Sequence, residues 1–250
     1  LGAHMEAPFL AEAKAGAQLK QYFVDPDEEN WQRYTGGLES VVRLITMAPE
    51  RAGALAFISA LTKKGITVSI GHTTADAETT HAAAEAGATH VTHTFNAQTP
   101  LNHRAPGVPG AALVDDRLQC EVISDGIHLH PDIVKLIIRT KGKEKLVAIT
   151  DAMEAAGMPD GQYQLGGQEV FVHEGAARLK DGTLAGSTLT MIRAFQNLIR
   201  FGATPEEAAL MTTKTPALSI GNEELGEIEL GAPAIFSRFD ENYAFKGTVG

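Results

Sequence analysis

The chain of 250 residues is long enough for one large α/β domain or two smaller ones, and its 44% hydrophobic and 21% charged residues are ordinary for a globular protein. A formal net charge of −10 without a basic stripe argues against a nucleic-acid partner, and no apolar run is long enough to predict a membrane protein. The single Cys120 excludes an internal disulfide and fits a reducing compartment, so we expect a cytoplasmic protein.

Taken in chain order, strand and helix patterns alternate. Short apolar runs predict six strands, which end near Glu6, Glu50, His72, His93, Asp125 and Asp151. Apolar residues at helical spacing predict helices over about 53–64, 73–87, 131–142, 187–202 and in 204–221. Near-continuous apolar strands are typical of a parallel sheet that is buried on both faces. The alternation therefore predicts an α/β fold whose chemistry lies at the C-terminal ends of parallel strands.

Two segments depart from this alternation. Residues 157–183 are Gly-rich and alternate apolar with polar side chains, which predicts an antiparallel insertion. The tail over 223–250 has the pattern of short strands in a small β-module. We therefore expect a catalytic domain over residues 1–222, with the insertion inside it, and a partial β-module after it.

The predicted strand ends carry side chains that can bind a metal or move a proton. Glu6, His72 and His93 are the best metal candidates, because imidazole and carboxylate suit zinc or iron and three protein ligands leave a position for water or substrate. For either histidine alone, an ordinary structural role would be the better interpretation. The three together, at successive strand ends, favour a hydrolytic metal site.

Asp151 ends the last predicted strand. A carboxylate there can accept a proton from an attacking water and return it to the leaving group. The alternative is that Asp151 is the N-cap of a helix over the following AMEAAG. His128, in SDGIHLH, can orient or polarise a substrate carbonyl.

Other residues suit an anion. Backbone N–H groups in the turn Asn96-Ala97 can hold phosphate oxygens, and Arg104 adds a planar fork that matches phosphate. The Gly-containing turn from Gly182 to Thr188 leads into a helix and is a weaker anion signal. The acidic net charge does not exclude an anionic substrate, because local cations and amides can outweigh it inside a cleft.

Several strings occur in a characteristic order along nearly the whole chain: HMEAPF, AGAQ, GHTTA, THTFNAQ, HRAPG, SDGIH, ITDAM and GTLAGSTLTM. They resemble the N-acetylglucosamine-6-phosphate deacetylases, a family of the amidohydrolase superfamily. The resemblance is specific, because several of these strings are not shared with other amidohydrolases. It implies a TIM-like (β/α)8 barrel of a metal-dependent hydrolase with a small β-sandwich module.

The resemblance also implies roles for individual residues. A divalent metal (zinc, iron, manganese or cobalt, its identity open) would lie on Glu6, His72 and His93, with Asp151 as general base and acid and His128 beside it. The residues implied to surround the sugar phosphate are Ala17, Gln18, Asn96, Ala97, Arg104, Asp125, Gly126, Ile127, His128, Leu184, Ala185 and Gly186. The implied reaction converts N-acetyl-D-glucosamine 6-phosphate to D-glucosamine 6-phosphate and acetate, in amino-sugar catabolism. The resemblance further implies a homodimer.

The chain departs from the family pattern in three places. Ala7 replaces the usual glycine, which is tolerable only if the backbone there does not need positive φ. The C-terminal module reads GAPAIFSRF and ends early, and the family's first barrel strand with its His-x-His pair is missing. We therefore expect an N-terminally truncated barrel of six strands, an open arc with an unpaired edge at residues 1–8 that makes the chain unstable or prone to aggregate.

Two alternatives to this function remain. The first is another amidohydrolase, such as a dihydroorotase or a dipeptidase; these would not need Asn96-Ala97 with Arg104, and many carry a strand-end lysine that bridges two metals, which this chain lacks. The second is an inactive fragment that only binds a phosphosugar. Deacetylase activity, compared with phosphosugar binding alone, separates catalysis from the second alternative.

Overall fold

A six-stranded parallel sheet forms the centre of the computed structural model, which describes all residues from 1 to 250. Its strands are β1 (Ala3–Met5), β2 (Val42–Met47), β3 (Thr67–Ile70), β4 (His90–Val91), β5 (Gln119–Ile123) and β6 (Leu146–Ile149), hydrogen-bonded in that order. Strands β1 and β6 each pair on one side only, so the sheet is an open half-barrel. The expected partial barrel with an unpaired edge at its first strand is confirmed, while the instability expected from that edge stays a prediction.

Eight α-helices connect or cover these strands. They are α1 (Glu28–Thr35), α2 (Ala54–Lys63), α3 (Ala77–Ala86), α4 (Gly107–Val114), α5 (Pro131–Lys145, with a non-helical Gly142), α6 (Met191–Arg200), α7 (Pro205–Thr212) and α8 (Lys214–Ser219). Short 3-10 turns cover Glu12–Lys14, Lys20–Tyr22 and Glu39–Val41. None of the helices combines the length and the apolar character that crossing a bilayer requires.

The main core lies between the sheet and its covering helices, and it extends under the loop that follows β1. Phe9 is fully buried there, with its ring 5.6 Å from Phe57 of α2 in an edge-to-face arrangement. Trp31 of α1 is also fully buried and packs against the same ring at 6.3 Å. Burial of large aromatic side chains is a strong stabilising contribution. It fixes the loop that carries Glu6 relative to the sheet.

Two small antiparallel sheets accompany the half-barrel. Strands β7 (Gly161–Leu165), β8 (Gln168–His173) and β9 (Ala176–Leu179) form one, within the segment predicted to be an antiparallel insertion. Strands β10 (Phe236–Phe239) and β11 (Phe245–Val249) form the other. The expected division of the chain into domains at residue 222 stays a prediction.

Candidate metal centre

Three side chains from three strand ends converge on one point. The Oε1 atom of Glu6 lies 2.9 Å from Nε2 of His72 and 3.0 Å from Nε2 of His93, and the two Nε2 atoms are 3.0 Å apart. These residues form the one group of three or more histidine, cysteine or acidic side chains placed to hold a metal ion. The convergence predicted from the sequence is therefore confirmed.

The hydrogen bonds around these three side chains indicate whether a cation can lie between them. Nδ1 of His72 is 2.7 Å from the carbonyl oxygen of Lys14, which only accepts, so Nδ1 carries the hydrogen. In the neutral ring, Nε2 then presents a lone pair to the Glu6 carboxylate, which is also an acceptor. A cation between the two removes this repulsion, and the outward carbonyl is the usual partner of a metal-binding histidine. The residues therefore fit a divalent metal.

The two oxygens of the Glu6 carboxylate have different partners. Oε1 faces the histidines, and Oε2 accepts a hydrogen bond of 3.1 Å from Nε2 of Gln18. Burial raises the pKa of Glu6, but the attraction of the adjacent His72 and His93 rings in their charged forms outweighs burial and holds that pKa well below its usual range. Burial lowers the pKa of His93, but the hydrogen bond and charge of Glu6 prevail and raise it to about 8. The centre is thus an anionic carboxylate that attracts positive charge.

The backbone at the strand ends is strained. His72, His93 and Asp151 have φ values of 46°, 30° and 49°, in the left-handed region that side chains other than glycine rarely adopt. Such residues cost about 1–3 kcal/mol each and cluster at functional sites. Ala7 is not among the residues with positive φ, which explains why alanine is tolerated where the family usually has glycine.

A cavity of about 560 Å³ opens over the three converging side chains. Asp151 and His128 line it together with them. Burial raises the pKa of Asp151, and the nearby charge of Glu6 raises it further. No helix begins after Asp151, because Ala152 forms a bridge with Ser187 instead, so the N-cap alternative for Asp151 is wrong.

His128 is oriented by the carboxylate of Asp125. Oδ2 of Asp125 is 2.7 Å from Nδ1 of His128, and Oδ1 accepts from the backbone N–H groups of Ile127 and His128, both at 2.8 Å. Burial raises the pKa of Asp125, but its bonds to His128 dominate and lower it. With Nδ1 turned towards Asp125, the ring has Nε2 left for the cavity that it lines.

The cavity contains some of the residues that the sequence implied for substrate binding and lacks others. Those lining it are Ala17, Gln18, Asn96, Ala97, His128, Leu184 and Gly186. Those absent from its lining are Arg104, Asp125, Gly126, Ile127 and Ala185. Arg104 lies on an exposed loop and Ala185 is fully buried. Their roles at the substrate stay predictions.

Several residues that line the cavity were not predicted from the sequence. Lys14, Tyr22 and Phe23 line it from the irregular segment after Glu6, and Leu165 comes from the insertion. Lys14 also donates a 2.7 Å hydrogen bond from Nζ to the carbonyl oxygen of Gln98. Only Lys14 could have been suspected from the sequence, because it is adjacent to the string AGAQ. The other residues lie where no periodic pattern predicts the path of the chain.

Comparison with known proteins shows what the chain is similar to. A model of the amidohydrolase family matches residues 1–247. The N-acetylglucosamine-6-phosphate deacetylase of Lysinibacillus sphaericus is 39% identical over 253 residues, covering 100% of this chain and 65% of that protein. The N-acetylgalactosamine-6-phosphate deacetylase of Escherichia coli O157:H7 is 39% identical over 236 residues, covering 94% of this chain and 62% of that protein.

A solved structure is similar over almost the whole chain. It is a variant of the N-acetyl-D-glucosamine-6-phosphate deacetylase of Mycobacterium smegmatis in complex with N-acetyl-D-glucosamine-6-phosphate. It is 38% identical, with a TM-score of 0.93, and the match covers 99% of this chain and 66% of that one. The chain thus spans somewhat less than two thirds of the length of the curated relatives it matches.

Proposed function

Because this chain belongs to the amidohydrolase family, we propose that it hydrolyses the acetamide of N-acetyl-D-glucosamine 6-phosphate, giving D-glucosamine 6-phosphate and acetate in amino-sugar catabolism. The observation that carries this proposal is the convergence of Glu6, His72 and His93 in one cavity with Asp151. The similarity to the deacetylases of Lysinibacillus sphaericus and Mycobacterium smegmatis supports the substrate class.

A divalent metal bound by Glu6, His72 and His93 would polarise the amide carbonyl and make water more acidic. Asp151 accepts a proton from the water that attacks the carbonyl carbon of the acetamide. As the C–N bond breaks, Asp151 gives this proton to the departing nitrogen, which leaves as an amine while acetate forms. The burial that raises the pKa of Asp151 suits a group that must both accept and donate a proton.

His128 serves the carbonyl oxygen rather than the proton transfer. Because Asp125 holds Nδ1, the ring cannot rotate freely, and Nε2 is directed to one place in the cavity. In its protonated form the ring donates from Nδ1 to Asp125 and from Nε2 to the carbonyl oxygen as negative charge develops on that oxygen. Asp151 and His128 thus have separate tasks, one at the proton that is transferred and the other at the carbonyl oxygen.

The decisive experiment is an amine-release assay on the purified chain with its metal content measured in parallel. We expect turnover of N-acetyl-D-glucosamine 6-phosphate with about one equivalent of divalent metal. The C4 epimer, N-acetyl-D-galactosamine 6-phosphate, belongs in the same assay because one relative is a deacetylase of that name. Turnover of dihydroorotate instead would favour another amidohydrolase, and phosphosugar binding without amine release would favour an inactive fragment.

Arg104 is proposed to bind the 6-phosphate of the substrate in the neighbouring subunit of a homodimer. Its side chain lies on an exposed loop and does not line the cavity of its own chain, whereas its planar fork matches phosphate. We expect Arg104→Ala to raise KM for the phosphorylated sugar by at least about tenfold, since a charge-assisted pair is worth about 1.5–3 kcal/mol. The unphosphorylated sugar should be hardly affected.

Lys14 is the matched control, because it is a cation that lines the cavity of its own chain. If Lys14→Ala gives the phosphate-specific loss and Arg104→Ala gives none, the assignment to Arg104 is wrong. Mixed dimers of the Arg104→Ala and Asp151→Asn chains should recover activity if the loop reaches across, because one of the two sites then has both residues intact.

A further inference from the structure

One strand end carries a carboxylate that the proposed reaction does not use. Strand β2 ends at Met47, and Glu50 follows in the loop Ala48–Arg51. Glu50 neither joins the converging ligands nor lines the cavity above them. Glu50 is exposed, but both oxygens of its carboxylate accept hydrogen bonds, and the donors belong to the turn that carries His72.

Three donors from the residues after His72 point at the Glu50 carboxylate. Oε1 accepts from the backbone N–H of Thr74 at 2.6 Å and from the hydroxyl of Thr74 at 2.9 Å. Oε2 accepts from the hydroxyl of Thr73, which is fully buried and in turn accepts from the N–H of Ala75 at 2.9 Å. Hydrogen bonds to a charged acceptor are the stronger ones in proteins. They fasten the backbone directly after the ligand.

The same loop also holds the segment that follows Glu6. The guanidinium Nη1 of Arg51 donates to the carbonyl oxygen of Leu10 at 2.8 Å, and the N–H of Ala48 donates to the carbonyl oxygen of Phe9 at 2.9 Å. The two ligand segments also meet directly, where the N–H of Ala11 donates to the carbonyl oxygen of His72 at 2.9 Å and Nδ1 of His72 donates to that of Lys14 at 2.7 Å. Loop Ala48–Arg51 therefore lies between them and contacts both.

His72 needs such support because its backbone is in the left-handed region, with φ of 46°. A residue other than glycine stays there only when its surroundings over-determine the conformation. Without Glu50, the turn can relax towards an ordinary backbone, and a small rotation at the α-carbon moves Nε2 at the far end of the ring. Metal affinity is sensitive to such shifts, since losing an outer-shell partner typically costs 10–100-fold.

We propose that Glu50 is a positioning residue for His72: it binds no metal and no substrate, but its three hydrogen bonds hold the turn after His72 so that Nε2 meets Glu6 and His93. This inference rests on the proposed metal centre. A role in general stability would reduce the melting temperature of the apoprotein, whereas a positioning role changes the affinity and the geometry of the bound metal in the folded protein.

The test is titration of the metal-free chain with zinc in competition with a chelator, together with the absorption spectrum of the cobalt-substituted protein. Glu50→Ala should lower zinc affinity at least about tenfold and alter the cobalt d–d bands. Glu50→Gln should fall between Glu50→Ala and the wild type, because its amide oxygen can still accept from Thr74. Glu85→Ala, at an exposed position on α3, is the matched control and should match the wild type in both measurements.

Zinc affinity within twofold of the wild type and an unchanged cobalt spectrum in Glu50→Ala would overturn the inference, whatever happens to the melting temperature. If Glu50→Ala does not fold, Glu50→Gln and Thr73→Val decide. Thr73→Val keeps the shape of the side chain and removes the hydroxyl that donates to Glu50 and accepts from the N–H of Ala75. Wild-type zinc affinity in both variants would overturn the inference equally. A wild-type chain that binds no metal would overturn the proposed function. A wild-type chain that binds zinc with the same affinity as its Glu50 variants would overturn only the role of Glu50, so the two failures are distinguishable.

Discussion

Asp151→Asn is expected to lower deacetylation by at least about 10²-fold while the metal content stays near normal, because loss of a general base typically has an effect of this size. The amide has nearly the same shape as the carboxylate but cannot accept a proton from water. Asp151 lies outside the group placed to hold a metal, and the substitution keeps the 2.7 Å hydrogen bond from the N–H of Ser187 to the backbone carbonyl of residue 151.

The measurements are single-turnover amine release and metal analysis on the same preparation. Asp132→Asn is a matched control, since its carboxylate is 83% exposed at the start of α5 and takes no part in the cavity. Near wild-type turnover in Asp151→Asn would remove Asp151 from the mechanism. A parallel loss of metal would instead assign it to the metal centre.

His93→Ala should abolish both metal binding and activity. It removes one of three ligands, and we expect affinity to fall by more than about 100-fold, beyond the 10–100-fold that an outer-shell partner typically contributes. The variant also leaves the Glu6 carboxylate with one histidine where it had two. Chelator competition measures the affinity, and circular dichroism shows whether the chain remains folded.

His81→Ala is the control for this variant, because His81 lies on α3 and pairs with Asp115 at 2.8 Å, away from the cavity. It should bind metal as the wild type does. One tightly held equivalent of metal in His93→Ala would contradict the assignment of the three ligands.

The barrel strands and most helices could be predicted because their sequences repeat at the period of the structure. The apolar run that ends at His72 and the helical spacing in Pro131–Lys145 give such signals. Helix α4 was not predicted: its sequence GVPGAALV contains two glycines and a proline, and the helix forms because its apolar residues are buried. Tertiary packing there overrides local propensity.

The ligands of the candidate site could be predicted because a parallel sheet brings the C-terminal ends of its strands to one edge. Residues that follow successive strands, though distant in sequence, therefore lie close together. The roles of Lys14, Gln18 and Glu50 could not be predicted in this way. Each depends on a hydrogen bond across 12 or more residues, from irregular loops whose paths leave no periodic signal. Sequence patterns thus locate groups on regular elements and miss the loop contacts that orient them.

The left-handed backbone at His72, His93 and Asp151 lowers the stability of the fold at three positions whose side chains the proposed reaction needs. Glycine adopts this conformation without steric cost, so glycine variants would relieve strain of about 1–3 kcal/mol at each position while removing the reactive group. Directed evolution that rewards only thermal resistance or soluble expression would therefore drift towards glycine at the reactive positions. Selection for a more robust catalyst from this scaffold has to score turnover in every round.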